Sequence, residues 1–210
     1  MPPKIISLAL LFTAWPLSGI ADSPRDEKLR QELLKMMKTD QDMRAEFLAW
    51  MKKRGLTDMV MLKKDDPQIK KFDEVDRKNT ARLKEIVDRY GWPAKSLVGD
   101  DGARAAWLLV QHADKDPEFQ KKCLALMKQL PKGEVSGQHL AYLTDRVLVG
   151  EKKKQVYGTQ CEIIKGEVKF RPIENEANVD KRRAEVGLPS LAEYKTQIER
   201  AYLAQPKPKK

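Results

Sequence analysis

Histidine and cysteine are scarce in this 210-residue chain, with two of each. His112 and His139 lie far apart, as do Cys123 and Cys161, and neither set has the close ligand spacing of a zinc site. Also missing are a phosphate-cradling glycine loop, a nucleophile elbow and a Cys–His signature. Those absences exclude the common nucleotide-binding and hydrolytic designs. No cofactor and no resident metal are expected, and a hard-metal site built from Asp76, Asp114, Asp116 and Asp145 is the weak exception the carboxylates leave. Long apolar runs are absent too. The best of them, residues 5–15, is ended by Pro16, well short of the roughly 20 residues that span a bilayer.

That short run has a different meaning. Lys4 precedes it, and Ser18, Gly19, Ile20 and Ala21 follow with the small residues a signal peptidase reads. Residues 1–21 are therefore expected to be a cleaved export signal, leaving a periplasmic or secreted protein with no stable membrane span. Residues 22–204 are expected to form one domain, and residues 205–210 a disordered basic tail. In an oxidising compartment Cys123 and Cys161 could pair, and sequence does not fix their separation.

Charge is plentiful, with 41 Lys and Arg against 31 Asp and Glu and a formal net charge of +10. Much of the excess lies in solvated runs at Lys63–Lys64, at Lys152, Lys153 and Lys154, and in the tail. A basic surface favours anionic neighbours. For an exported protein those are anionic envelope components, and no motif for nucleic acid accompanies the charge.

Helix signals dominate the chain. Ser23 and Pro24 suit a helix start. From there one helix is expected toward Met37 and another from Asp40 to Lys53, the two being separable or one kinked element. Residues 56–70 read as loop. A firm helix follows from Pro67 to Tyr90, stopped by Gly91, Trp92 and Pro93, and residues 94–101 read as a connector. Three further helices are expected near 102–112, 116–131 and 136–149. Strands are expected over 156–164 and 167–170 around Lys165 and Gly166, then a last helix from Leu191 capped by Ser190. The fold class is mainly α, a single helical domain with a small β-hairpin near residues 156–170.

The distinctive pattern is polar side chains inside apolar helical stripes. Leu34, Met37, Gln41, Arg44 and Leu48 share one face, as do Phe72, Asp76, Asn79 and Leu83. Ala105, Leu108 and His112 do the same, and Ala141, Asp145 and Leu148 do so with Arg146 beside them. A polar group buried without a partner costs about 1–3 kcal/mol, so these groups are expected to meet one another. Asp40 sits off the stripe and reads as a cap for a helix start.

His112 is the candidate acid–base group, with Asp114 and Asp116 close behind in sequence. Asp145 would orient it or act beside it, and Arg146 would clamp an anion in a two-point fork. Gln41, Arg44, Asp76 and Asn79 would line the same cleft, and Tyr157, Thr159 and Gln160 would form one wall. Gly158 permits close approach to that wall. Three readings follow. The first is a cleft for a small anionic or amide-bearing ligand, the second a hydrolase or transferase using His112. The third is an envelope structural or interaction protein with a buried polar network.

Asp40-Gln41 with Arg44, Gly91-Trp92-Pro93, Gln111-His112-Ala113-Asp114, Leu143-Thr144-Asp145-Arg146 and Tyr157-Gly158-Thr159-Gln160 occur in that order. The ordered set, over roughly residues 28–200, resembles a bacterial family catalogued as a domain of unknown function. The resemblance implies that the polar residues belong to one recurring domain, and it supplies no reaction. Cys123, Cys161 and the basic tail fall outside its motifs.

Overall fold

Asp26, Asp66 and Asp116 each precede a helix and accept a backbone N–H from its first turn, at Leu29, Gln68 and Phe119 respectively. The first N–H groups of a helix have no partner inside it, so each cap satisfies an orphan and fixes where coiling begins. The computed structural model describes residues 25–54, 65–164 and 166–202. The expected export signal, the Ser23-Pro24 start and the basic tail lie outside the described residues. Along the chain run α1 (Glu27–Lys53), α2 (Pro67–Tyr90), α3 (Lys95–Gln111), α4 (Pro117–Gln129) and α5 (Gly137–Gly150). Then come β1 (Cys161–Ile164), β2 (Glu167–Phe170), a short 3-10 turn, α6 (Val179–Glu185) and α7 (Leu191–Tyr202). The mainly α class with one small hairpin is what the periodicity predicts.

The described residues group into two compact units, one ending at Val135 and the other starting at Ser136. The three-helix set expected between residues 102 and 149 is thereby divided, with α3 and α4 in the first unit and α5 opening the second.

In the first unit α1 packs against α3 and α2, and α3 also against α2 and α4. Leu29 and Leu33 from α1, Leu83 and Ile86 from α2, and Val98, Ala105 and Leu109 from α3 are buried together with Phe119 and Met127 of α4. Burying each large aliphatic contributes about 1.5–3 kcal/mol. A smaller cluster of Phe47, Met51 and Ile69, with Trp50 and Phe72 against it, closes the other end of α1. Phe47 and Phe72 meet at 5.0 Å between ring centroids.

Two local expectations are corrected here. α1 is one unbroken helix, because no Gly or Pro interrupts residues 37–40, and Asp40 lies in its middle rather than capping a start. Residues 95–98, expected as connector, form a helical turn that joins the rest of α3 through a kink at Gly99, with φ +73 and ψ 171. That backbone region is essentially reserved for glycine. Just past the kink, Asp101 takes both Arg30 Nε and Nη2 at 2.7 and 2.6 Å, pinning α3 to α1.

The second unit is built on the hairpin and its neighbours. Cys161 pairs with Phe170 and Ile164 with Glu167, antiparallel. α7 begins with a reciprocal cap: Ser190 Oγ accepts from the Glu193 N–H at 3.2 Å, and the Glu193 carboxylate accepts from the Ser190 N–H at 2.9 Å. Val168, Ile173, Val179, Leu188, Tyr194 and Ile198 are buried here. The strand expected from residue 156 begins only at Cys161, since the N–H groups just before it are already claimed by side chains.

Candidate functional site

Residues 40, 41 and 44 of α1, 76 and 79 of α2, and the residue that ends α3 supply the polar side chains of the first unit. Asp40 is fully buried in the middle of a helix, where an ionised carboxylate survives only with partners. It has three. Gln41 Nε2 donates to it at 2.8 Å, Arg44 Nε and Nη2 reach it at 3.2–3.3 Å, and His112 Nδ1 lies 2.9 Å from its Oδ1. Asp40 and Arg44 stand four residues apart on α1, the spacing that brings two helix side chains face to face. Arg44 then spans to α2, where Nη2 donates to Asp76 Oδ1 at 2.6 Å, and its guanidinium lies 4.6 Å over the Phe72 ring.

Burial alone would raise the Asp40 carboxyl, but His112 and Arg44 overcome it and hold the group down at about 2. Arg44 Nε also lies 3.0 Å from the same Nδ1, so which of them donates there depends on the imidazole tautomer; with Asp40 ionised and Nδ1 protonated, both N–H groups point to the carboxylate. Asp76 goes the other way. Burial is the largest influence, Arg44 opposes it, and the charges of Asp40, Asp114 and Asp73 reinforce it, so the group is pushed up to about 7. Two carboxylates on one arginine thus titrate far apart, the condition under which one stays a fixed charge while the other trades protons near neutrality.

Exposure changes along this network. The side chains of Asp40 and His112 are 0% and 3% exposed, whereas Arg44 and Asp76 reach 11% and 15%. Asn79, three residues beyond Asp76, is half-buried, and its Nδ2 is shielded from solvent with no hydrogen bond among the described residues. Nearby, Lys115 engages Asp73 at 2.7 Å, and Asp114 accepts from Gln120 at 3.2 Å.

Asp145 on α5 anchors the polar residues of the second unit. Its fully buried carboxylate accepts from the backbone N–H groups of Val156 (2.7 Å), Tyr157 (3.0 and 3.2 Å) and Thr159 (2.9 Å), and from Thr159 Oγ1 at 2.9 Å. Burial raises its pKa, and those donors oppose the rise. Gln155, also fully buried, takes the Gln160 N–H at 2.8 Å and gives its own amide hydrogens to the carbonyls of Gln160 and Arg171. The loop's carbonyls face the opposite charge. Arg182 Nε donates to Val156 at 2.9 Å, and Arg183 Nη1 to Tyr157 at 2.6 Å. Gly158 has φ +68, and a β-carbon there would come within 2.8 Å of Leu191 and 2.9 Å of Ile173, so the loop closes tightly only with glycine.

The sequence-predicted residues therefore fall into two groups. Gln41, Arg44, Asp76 and His112 join Asp40 in the first unit, with Asn79 on the same α2 face. Asp145, Tyr157, Thr159 and Gln160 join Gln155 in the second, and Arg146 is buried beside Asp145. His112 finds its carboxylate in Asp40. Thr159 and Gln160, expected in one wall of a cleft, spend their side chains inside the loop, Gln160 Nε2 donating to Thr159 Oγ1 at 3.1 Å. Asp116 caps α4 and pairs with Lys84. Among the described residues no three His, Cys, Asp or Glu side chains group to hold a metal.

Sequence reasoning missed the roles of Asp40, Arg182 and Arg183. The four-residue step from Asp40 to Arg44 is the signal that could have placed the first. The two arginines lie on a seven-residue helix too short to display a stripe. Cys123 and Cys161 are free and buried, with thiols pushed by burial to about 12 and about 11, so little reactive thiolate forms near neutral pH.

The model of a family described as a family of unknown function, DUF6624, matches residues 27–207. No curated protein and no solved structure matches the chain.

Two substitutions test these networks. Asp145→Asn turns an amide hydrogen toward donors that need an acceptor, and stability should fall by about 3 kcal/mol or more, at roughly 1–3 for each donor left unmet. Denaturant unfolding measures it, and a loss within experimental error would mean that the loop holds itself. For Asp76 the sign runs from its raised pKa. Between 3.8 and about 7 the folded protein keeps a proton the unfolded chain has released, so this group lowers stability as pH rises through that window. Asp76→Asn removes the effect while keeping an acceptor for Arg44. Its Tm relative to the parent should therefore be more favourable at pH 8 than at pH 5, and a flat difference would mean Asp76 titrates normally. Asp40 contributes with the opposite sign, stabilising above 3.8 and losing that contribution as pH falls toward about 2.

Proposed function

We propose, for a chain that belongs to the DUF6624 family of unknown function, that the first unit binds a small polar ligand at the Arg44–Asp76 end of its buried network. The carrying observation is the gradient of exposure: the network is sealed at Asp40 and His112 and opens at Arg44 and Asp76. A network serving stability alone gains nothing from ending at a carboxylate that titrates near neutrality. The unmet donor of Asn79 lies on that same helix face. An unsatisfied buried donor costs about 1–3 kcal/mol, a cost a ligand's acceptor would remove. The Asp145 network of the second unit, whose carboxylate meets three backbone N–H groups and a hydroxyl, is read as scaffold.

A hydrolase or transferase with His112 as general base is the second reading. It draws on the 2.9 Å contact of Asp40 with Nδ1, the way a carboxylate orients a catalytic imidazole. An imidazole only 3% exposed does not meet a substrate without opening of the unit, so the rim takes precedence.

Asn79→Ala separates binding from folding. Because Nδ2 makes no hydrogen bond among the described residues, its removal breaks none and relieves an unmet donor, so stability should hold or rise by up to about 3 kcal/mol. The parent should gain thermal stability with a member of a panel of small amides, amines and carboxylates, and Asn79→Ala should lose that gain. Stabilisation that survives in Asn79→Ala would put the ligand elsewhere.

Export is part of the same reading, supported by Lys4, the apolar residues 5–15 and the small residues before Asp22. N-terminal sequencing of the protein from an export-competent bacterial host should begin at Asp22, and a start at Met1 would remove export.

A further inference from the structure

We propose that Asp101-Gly102 is a latent site of covalent modification, aspartate isomerisation, and that the Arg30 side chain holds it closed. Asp101 is the one aspartate or asparagine of the chain that a glycine follows. The reaction needs such an unhindered neighbour. The Gly102 backbone nitrogen attacks Cγ of a protonated Asp101 carboxyl, and the hydroxyl of that carboxyl leaves with the amide hydrogen as water. Water then adds back to the succinimide ring at either carbonyl. One opening returns aspartate, and the other joins the chain through the side-chain carbonyl as isoaspartate. No oxidant or cofactor takes part, and the Asp101 side chain is 47% exposed, so water reaches it.

Arg30 opposes each requirement. Its Nε and Nη2 donate to the two carboxylate oxygens at 2.7 and 2.6 Å, and its Nη1 is held in turn by Glu27 at 2.8 Å. With both oxygens tied, the carboxyl cannot rotate to bring Cγ onto the nitrogen. The Gly102 N–H is itself directed at Oδ1, at 2.8 Å. The Arg30 hydrogen bonds are also the largest influence on the Asp101 carboxyl, holding it below the usual carboxylate range and so in the ionised, unreactive form.

The labile dipeptide has no simple replacement. A β-carbon on Gly102 would lie 2.8 Å from Cβ of the fully buried Val98 and 3.3 Å from Arg30 Cγ. Asp101 is the residue that fastens α3 to α1. Packing thus demands both halves, and protection falls to the arginine they pack against. Isoaspartate would add a methylene to the main chain and shorten the arm that carries the carboxylate. The fork to Arg30 would be lost at the start of the helix whose far end brings His112 to Asp40.

The test follows isoaspartate at residue 101 by mass spectrometry in the purified chain, aged in warm neutral buffer. It compares the parent with Arg30→Gln, Arg30→Lys and Leu33→Ala, with circular dichroism reporting folding. Leu33 is fully buried on α1, so Leu33→Ala lowers stability and leaves the clamp in place. The folded parent is expected to accumulate isoaspartate several-fold more slowly than the same chain in denaturant. Folded Arg30→Gln should accumulate it several-fold faster than the parent, and faster still as the buffer is acidified and more of the carboxyl is protonated. Arg30→Lys keeps the charge without the two-point fork and should fall between them, which carries the comparison even where Arg30→Gln does not fold. Equal rates in the parent and the Arg30 variants would overturn the clamp. Leu33→Ala matching the Arg30 variants would overturn it too, because general opening would then control the reaction. No isoaspartate at residue 101 in denaturant would overturn the site itself.

Discussion

A carboxylate buried in the middle of a helix is the constraint on which the first unit depends. Asp40 has no route to water, and desolvation alone would drive it to take up a proton. It stays ionised because Arg44, one helical turn on, and His112, at the end of α3, converge on it. That requirement fixes more than a pair of side chains. α3 has to end where the residue that caps it faces α1, and Arg44 has to lie flat enough over Phe72 for Nη2 to reach Asp76 on α2 as well as Asp40. Three helices are thus registered by one charge, and the apolar contacts of Leu33, Leu83 and Leu109 supply the bulk of the attraction. Hydrophobic burial is non-directional, so it holds helices together without setting their rotation; hydrogen-bonded charge sets it.

The second unit solves the same problem with different partners. Asp145 is as deeply buried as Asp40, yet it draws its donors from three backbone N–H groups and one hydroxyl of a single loop. Consumed that way, the loop cannot extend the β1 strand backward, because a backbone N–H bonded to a carboxylate is not available to a ladder. Arg182 and Arg183 take the carbonyls on the other side, and Arg183 lies against the Tyr194 ring at 4.9 Å. The loop therefore sits between a negative and a positive side chain, with its own peptide dipoles aligned by both.

The fold was largely readable because its signals are local. Asp66-Pro67 and Asp116-Pro117 announce helix starts, Gly91 to Pro93 a helix end, and Ser190 with Glu193 a capping box. What failed did so where local and tertiary demands diverge. The β-prone residues 156–160 follow strand chemistry until Asp145, eleven to fourteen residues away, takes their hydrogens. Asp40 looked like a cap because aspartate is a poor mid-helix residue, and only its partners explain its place. On α2, α3 and α5 the stripes identified residues that turn inward, including Asp76, His112 and Asp145, whereas on α1 the buried face is Leu33, Asp40, Met43 and Phe47, one step round from the expected one, and Leu48 is exposed. They carried no information on how those residues pair, since pairing depends on the separation and rotation of helices distant in sequence.

Polar residues inside a fold are ordinarily satisfied by the fold itself, and completeness is the mark of a scaffold. By that measure the two networks differ. Around Asp145 the acceptors are met, Thr159 closing on Asp145, Gln160 on Thr159 and Gln155 on Gln160, while Arg183 Nη2 and Arg171 Nε are shielded donors without a hydrogen bond among the described residues. Around Asp40 closure stops at α2. Asp76 is left with a proton affinity that neither its arginine nor solvent normalises, and Asn79 holds a donor that meets nothing among the described residues. Stability would be served by Leu at either position, which packs against the same stripe without the cost of desolvation. A titratable acceptor and an idle donor on one face of α2, at the partly open end of the Asp40 network, are the features on which the proposed binding of a polar ligand draws.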